Sequence, residues 1–143
     1  MNMEAKRVMS GTFGELWLDG ELLAESYKFQ AKETFNRESI KMAGRLRDGK
    51  KLMSIEGTGS LGLHKVSSRM AVAIGRQIQE GNDPRFTIIS KLADPDAWGA
   101  ERIAIYGVAF DDVTLADWEV GAVGKTEHPF SFEGYELLDS VEV

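Results

Sequence analysis

Cysteine is absent from all 143 residues. That excludes disulfides and thiolate metal sites, and it is compatible with folding in a reducing cytoplasm. Histidine is scarce: only His64 and His128 occur. A catalytic triad needs a histidine brought to a nucleophile and an acid, and neither histidine sits in a nucleophile motif. Each reads as a polar position at a strand end. No apolar run approaches the roughly 20 residues that cross a bilayer. Residues Met1–Ser10 mix Lys6 and Arg7 with Glu4 around no continuous apolar core, so neither a signal peptide nor a membrane span is expected there. Basic charge is in deficit, 17 residues against 23 acidic, for a net charge of -6. Net charge therefore gives no affinity for nucleic acid or an anionic membrane. The three tryptophans, Trp17, Trp98 and Trp118, are too few and too widely spaced for a base-stacking platform. They read as core or interface anchors.

What is present is alternation. From Met53 to Leu63 the odd positions are Met53, Ile55, Gly57, Gly59, Leu61 and Leu63, and the even ones are Ser54, Glu56, Thr58, Ser60 and Gly62. Period two sends these sets to opposite faces of a sheet. The period then changes. Val66, Met70, Ala73, Ile74 and Ile78 recur at helical spacing, with Ser67 or Ser68 as a cap and Gly81 after the last turn. No other stretch reads as a helix.

Before this strand–helix unit, Thr12–Leu18 reads as a strand and Asp19-Gly20 as a two-residue hairpin turn. Glu21–Lys32 is the return strand, with Tyr27, Phe29 and Ala31 opposed to Ser26, Lys28, Gln30 and Lys32. Glu38–Ala43 reads as a third strand, Ile40 and Met42 inward. Gly44–Lys51 carries Arg45, Arg47, Lys50 and Lys51 against a single acid, Asp48. It reads either as a projecting basic hairpin tip or as a plain solvated loop. After the helix come a turn at Asn82-Asp83-Pro84 and strands at Phe86–Leu92, Glu101–Phe110, Val113–Val120 and Thr126–Leu137. The Glu101–Phe110 strand is apolar on both faces, so it belongs at the centre of a sheet or beneath cover on both sides. About eight strands and one helix predict a single mainly β domain over residues 1–143. The expected architecture is an antiparallel β-sandwich or barrel with one flanking α-helix. Residues 1–10 are expected to form a mobile or swapped arm.

No constellation of catalytic, cofactor-binding or metal-binding residues is predicted. Gly57-Thr58-Gly59-Ser60-Leu61-Gly62 resembles a phosphate loop, but Leu63 and His64 stand where that motif requires Lys and Ser or Thr. The glycines fall inside the strand alternation, and a close backbone approach explains them better. Asp94 and Asp96, and Asp111 and Asp112, lack the further ligands of a calcium loop and read as turn residues. Glu101-Arg102 reads as a surface or interface ion pair. A sheet with open edges must pair, cover or charge them, and a chain with an arm, a basic tip and an acidic remainder suits pairing with copies of itself.

The order of landmarks resembles the tail tube proteins of contractile-tailed phages, in the form carried by PBSX-type prophages. The landmarks are SGTFGELWLDGELLAE (Ser10–Glu25), MAGR (Met42–Arg45), IEGTGSLGLHKVSSR (Ile55–Arg69), EGNDPRFTI (Glu80–Ile88), GAERIAIYGVAFDD (Gly99–Asp112) and HPFSFEGYELLD (His128–Asp139). Their order and spacing, over nearly the whole chain, carry the likeness. It implies a non-enzymatic structural virion protein of the phage tail, assembled in the host cytoplasm and similar to the type VI secretion tube. Six copies would form a ring, and stacked rings a hollow tube that conducts DNA. The partners implied are further copies, a tail sheath protein, baseplate or tail initiator proteins and a tape measure protein in the lumen. No cofactor and no membrane partner are implied. A tail terminator, a baseplate hub subunit and the tube of a phage-derived bacteriocin share the same physics. On this likeness Ser26, Lys28, Gln30, Ser54, Glu56 and Thr58 are expected to face the lumen. Arg45, Arg47, Asp48, Lys50 and Lys51 are expected to reach the next ring. An acidic lumen, which would not retain phosphates, is also expected.

Overall fold

A tight turn opens the fold. Asp19 and Gly20 hold φ of 49° and 85°, the left-handed geometry that a two-residue hairpin demands. They fold β1 (Gly14–Leu18) onto β2 (Glu21–Leu22). The Asp19 carboxylate accepts the Thr87 N–H at 2.8 Å, which ties the turn to the neighbouring strand. The structure, a computed structural model, describes residues 4–141. The strands that follow are β3 (Ser26–Ile40), β4 (Gly49–His64), β5 (Phe86–Leu92), β6 (Glu101–Phe110), β7 (Lys125–Phe132) and β8 (Gly134–Asp139). Every pairing is antiparallel, in the order β2-β1-β5-β6-β7-β4-β3, with β8 added to β6.

β6 joins two layers. It pairs with β8 up to Tyr106 and with β5 up to Val108, and at Ala109 and Phe110 it pairs with β7. The change of partner coincides with Gly107, whose φ is 64°. The result is a sandwich of a β2-β1-β5-β6-β8 layer on a β3-β4-β7 layer. Leu16, Leu18, Ile88 and Ile105 from the first meet Leu61, Leu63, Phe130 and Phe132 from the second, all buried. Each such side chain contributes about 1.5–3 kcal/mol on leaving water. Phe130 stacks on Phe29 and meets Phe110 edge-on, with centroids at 5.9 and 6.0 Å.

The glycines of β4 make room for these rings. A Cβ on Gly57 would meet Phe132 at 2.5 Å. One on Gly59 would meet Phe130 at 2.6 Å and collide with the Gln30 carbonyl. Gly57-Gly62 is thus a packing surface inside a strand, as the alternation suggested. One end of the sandwich is closed by a wide-turned helical stretch, Ala71–Gly75, that runs into α1 (Arg76–Gln79). Met70, Ala73 and Ile74 join the core, but Val66 and Ile78 are exposed. The wider turn takes more than 3.6 residues, so the apolar stripe drifts away from Ile78. Ser67 Oγ accepts the Arg69 N–H at 3.3 Å, and Gly81 takes φ of 85°, the positions expected for the two helix ends.

Four segmental expectations need correction. Glu21–Lys32 is not one strand: it divides at residues 23–25 into β2, which pairs with β1, and the start of β3, which pairs with β4. Glu38–Ala43 is no separate strand, and its residues up to Ile40 are the end of β3. β3 runs unbroken through residues 33–37, because its ladder with β4 continues there although neither face is buried. Ile40 and Met42 do not point into a core and are exposed, since no second layer covers this end of the ribbon. Thr126–Leu137 divides into β7, which pairs with β4, and β8, which pairs with β6. Val113–Val120 forms no strand and runs irregularly across the surface.

Candidate assembly surfaces

Asp94, Arg102 and both histidines make local contacts. Buried Asp94 accepts the N–H groups of Ser10 and Asp96, each at 2.9 Å, and so organises its loop. Arg102 pairs with Asp139 at 3.2 Å across the β6–β8 ladder and not with Glu101, because adjacent strand residues point to opposite faces. His64 lies 4.9 Å from the Tyr27 ring. His128 is buried, its Nε2 at 2.9 Å from Thr126 Oγ1, while Nδ1 finds no partner. Burial pushes the His128 pKa below the usual imidazole value. Among the described residues no three His, Asp or Glu side chains cluster as metal ligands.

The β3-β4-β7 layer has two unlike faces. One is the core face. The other carries Lys28, Gln30, Lys32 and Thr34 from β3, Ser54, Glu56, Thr58 and Ser60 from β4, and Lys125, Glu127 and Ser131 from β7. The ladder sets this: Gln30 opposes Ser60, Lys32 opposes Thr58, Thr34 opposes Glu56, and Thr58 opposes Ser131. Lys28 Nζ reaches Glu127 Oε1 at 2.6 Å across β4. That bond and the paired charge raise the Lys28 pKa and lower that of Glu127.

Five of the six residues expected to share a polar face do so: Lys28, Gln30, Ser54, Glu56 and Thr58. Ser26 does not. A register shift between Ser26 and Lys28 sets Ser26 opposite Leu63 and lays the Tyr27 ring over Gly62, where a Cβ would meet it at 2.7 Å. The bulge reverses the faces of Ser26 and Tyr27 relative to a regular strand. Sequence reading missed the β7 contribution. Its signal is the alternation of Lys125, Glu127, Pro129 and Ser131 with Thr126, His128, Phe130 and Phe132. The acidic excess of the chain does not lie on this face, where Lys28, Lys32 and Lys125 outnumber Glu56 and Glu127.

Beyond Gly57, β3 and β4 continue without β7 as a two-stranded ribbon. Its tip is the exposed segment 41–48, with Arg45, Arg47 and Asp48, and Gly44 at φ of 77°. Lys50 and Lys51 stand in the ladder opposite Ser39 and Glu38, and Lys50 Nζ donates to Ser39 Oγ at 2.6 Å. Phe35 and Ile55 oppose each other on the ribbon and are 51% and 53% exposed.

Two further features went unpredicted. An open cleft of about 1010 Å³ separates β3 from the other layer, with Leu16, Phe29, Leu92, Ile103, Phe132 and Tyr135 in its wall. The irregular segment after β6 exposes Leu115, Trp118, Val120 and Val123. Of the arm expected over Met1–Ser10, residues 1–3 lie outside the described residues. The remainder lies along the Asp94–Trp98 loop: Arg7 donates to the Asp96 carbonyl at 3.0 Å and sits 5.5 Å from the Trp98 ring centroid.

Comparison with known proteins places these surfaces in context. Residues 1–139 match the family model described as phage tail tube protein. The chain is 32% identical over 143 residues to the phage-like element PBSX protein XkdM of Bacillus subtilis (strain 168), spanning 99% of this chain and 97% of that one. In fold it is similar to a chain of the PVC sheath-tube complex, an extracellular contractile injection system, with a TM-score of 0.74 at 7% identity. That match covers 95% of both chains. It is equally similar to a chain of the anti-feeding prophage tube terminating cap, with a TM-score of 0.75 at 8% identity, over 98% of this chain and 97% of that one.

Proposed function

This chain belongs to the phage tail tube protein family, and from that premise we propose that it builds the inner tube of a contractile tail from stacked hexameric rings. The observation that carries the reading is the two-faced β3-β4-β7 layer. Its inner face closes a core, and its outer face is a broad polar surface of hydroxyl, amide and charged side chains. A layer of this kind is what a water-filled lumen requires of its wall, as interior and exterior positions alternate along every strand of a barrel. Members of the family are structural tail components and not enzymes.

Lys28, Gln30, Ser54, Glu56 and Thr58 then line the passage, with Lys125, Glu127 and Ser131 beside them. With Lys32 on the same face, the wall carries one more lysine than acid in each copy. The pairing of Lys28 with Glu127 leaves fewer free cations for passing DNA to meet, and each neutralised phosphate adds affinity that would slow it. Before ejection the same wall would face a tape measure protein. The basic tip, with Arg45, Arg47, Lys50 and Lys51, would meet acidic residues of the next ring. The outer surface would meet a sheath, and the end rings a baseplate. A terminator role is the second reading, favoured by the likeness to a tube terminating cap.

Negative-stain electron microscopy of the concentrated protein, alone and co-expressed with sheath and baseplate partners, tests both. Hollow tubes of uniform width are expected. Rings that never stack would select the terminator. No ring under either condition would overturn the assembly reading. Changing Arg45, Arg47, Lys50 and Lys51 together to Ser should shorten or abolish tubes while leaving the subunit's melting temperature unchanged. Tubes of normal length from that variant would remove the tip from the inter-ring contact.

A further inference from the structure

The β3-β4-β7 layer has two open ends, and they are unlike. At one end stands β3, a strand of 15 residues that pairs with β4 alone among the described residues. Its outer N–H and C=O groups form a free edge of a kind that invites another strand. At the other end β7 is paired by β6 only at Ser131 and Phe130. From there the chain continues along the rim of β7, where the Asp111 N–H donates to the Pro129 carbonyl at 2.9 Å. Val113 and Thr114 still lean on the body, and Val113 packs against the core. Leu115, Trp118 and Val120 beyond them are 76%, 82% and 90% exposed.

That exposure is at odds with the sequence. Val113, Thr114, Trp118 and Val120 are residue types that favour strands, against Ala116, Asp117 and Glu119, which do not, yet the segment is irregular. Among the described residues, no N–H from 112 to 121 bonds to a backbone carbonyl of the subunit. The segment has strand chemistry and lacks a strand to pair with. β3 has a free edge and lacks a strand to fill it.

We propose that residues 113–120 become a strand on assembly, added antiparallel to the free edge of β3 in a neighbouring copy. The inference rests on the ring reading above and names the junction. Four observations support a second copy as the occupant. Alternation of direction is preserved: β6 runs antiparallel to β7, so a strand continuing from β6 meets the neighbour's β3 in the antiparallel sense. Length suffices, since eight residues at about 3.3 Å each span about 26 Å, well within β3. Charge is complementary. The segment from 111 to 120 carries Asp111, Asp112, Asp117 and Glu119 with no basic residue, whereas residues 26–56 carry eight basic and four acidic side chains. Finally, the contact joins different surfaces of successive copies, a head-to-tail arrangement, which generates a ring when the rotation closes. The cleft beside β3 would then be covered by the same neighbour.

The test uses the full chain. Trp17→Phe and Trp98→Phe leave Trp118 as the sole tryptophan. Its emission should shift to the blue when rings form, and amides 113–120 should gain at least a hundredfold protection from hydrogen exchange in bare rings. Ala116→Pro removes one N–H in an exposed segment, so the subunit should fold with an unchanged melting temperature while ring yield falls at least tenfold. Normal ring yield from Ala116→Pro, or rings in which Trp118 and amides 113–120 stay open, would overturn the junction and leave the ring reading standing. Protection that appears only after sheath is added would also overturn it, by assigning the segment to the sheath. No rings from the unaltered chain, alone or with its partners, would end both.

Discussion

One hairpin contains two different environments. At the base of β3 and β4, Phe29 packs against a core in which Leu61 is fully buried and Leu63 nearly so. Towards the tip the same ladder brings Phe35 opposite Ile55, and both are about half exposed. The alternation that generates these faces runs without a shift from Lys28 through Phe29 and Phe35 to Asn36. What differs is the opposing layer, which is present over the base and absent over the tip. Alternation is therefore a property of the strand, whereas burial is a property of what stands against it. Apolar residues left outside in a regular ladder point to a surface completed by another molecule.

The comparison is sharpened most by truncating matched residues. Phe130→Ala at the base should cost the isolated subunit about 3–5 kcal/mol, through lost burial and the cavity left behind. Phe35→Ala at the tip should change subunit stability by less than about 0.5 kcal/mol, as for an exposed site away from special features. Urea denaturation of the two variants measures both. In assembled rings the order should narrow, because Phe35 then has a partner to lose. If Phe35→Ala unfolds the subunit as readily as Phe130→Ala, the tip is already packed and the two-environment description fails.

Much of this division could be read from the residues, and the failures have physical causes. β5 and β6 begin and end where the alternation places them, because turns flank them and their apolar residues have a layer to meet. The Asp19-Gly20 turn was legible because only certain residues tolerate its φ values. Residues 33–37 were not, since Glu33, Asn36 and Arg37 show no buried face. Backbone pairing, which leaves no mark on side-chain pattern, holds them in β3. Ser26 was misplaced by a bulge that the sequence does not announce. Val113–Val120 failed in the opposite sense: its side chains suit a strand, but the isolated subunit supplies no partner. The polar face was legible through β3 and β4 but not through β7, whose polar positions are interrupted by Pro129.

Acid should separate the halves more gently. His128 lies in the buried base, held neutral by desolvation, with Asp112 favouring its charged form and Lys65 opposing it. Its folded pKa lies below the ordinary value of 6.5, so the unfolded chain binds the proton more readily. The contribution to stability is complete above 6.5. It falls as pH drops below that value and levels off beneath the folded pKa. Thermal melts between pH 7 and 5, a range in which ordinary carboxylates stay ionised, should show a declining melting temperature. His128→Gln should flatten that decline, whatever it does to the absolute stability. A slope unchanged by the substitution would assign the acid response to another group.

The smallest effect should come from the pair that looks strongest on the polar face. Lys28 and Glu127 are in close contact at 2.6 Å, but their side chains are 51% and 58% exposed. Exposed pairs gain little in water, lose side-chain freedom and are screened by salt. Lys28→Met and Glu127→Gln, singly or together, should therefore leave the subunit's melting temperature within experimental error at any ionic strength. Their place is on the face that the base of the hairpin turns away from its own core, where subunit stability is indifferent to side-chain identity. Removing Glu127 frees a lysine from every copy, so tubes built from Glu127→Gln should retain DNA more strongly at low salt and release it as salt rises. Unchanged retention in intact tubes would mean that this face does not line the passage.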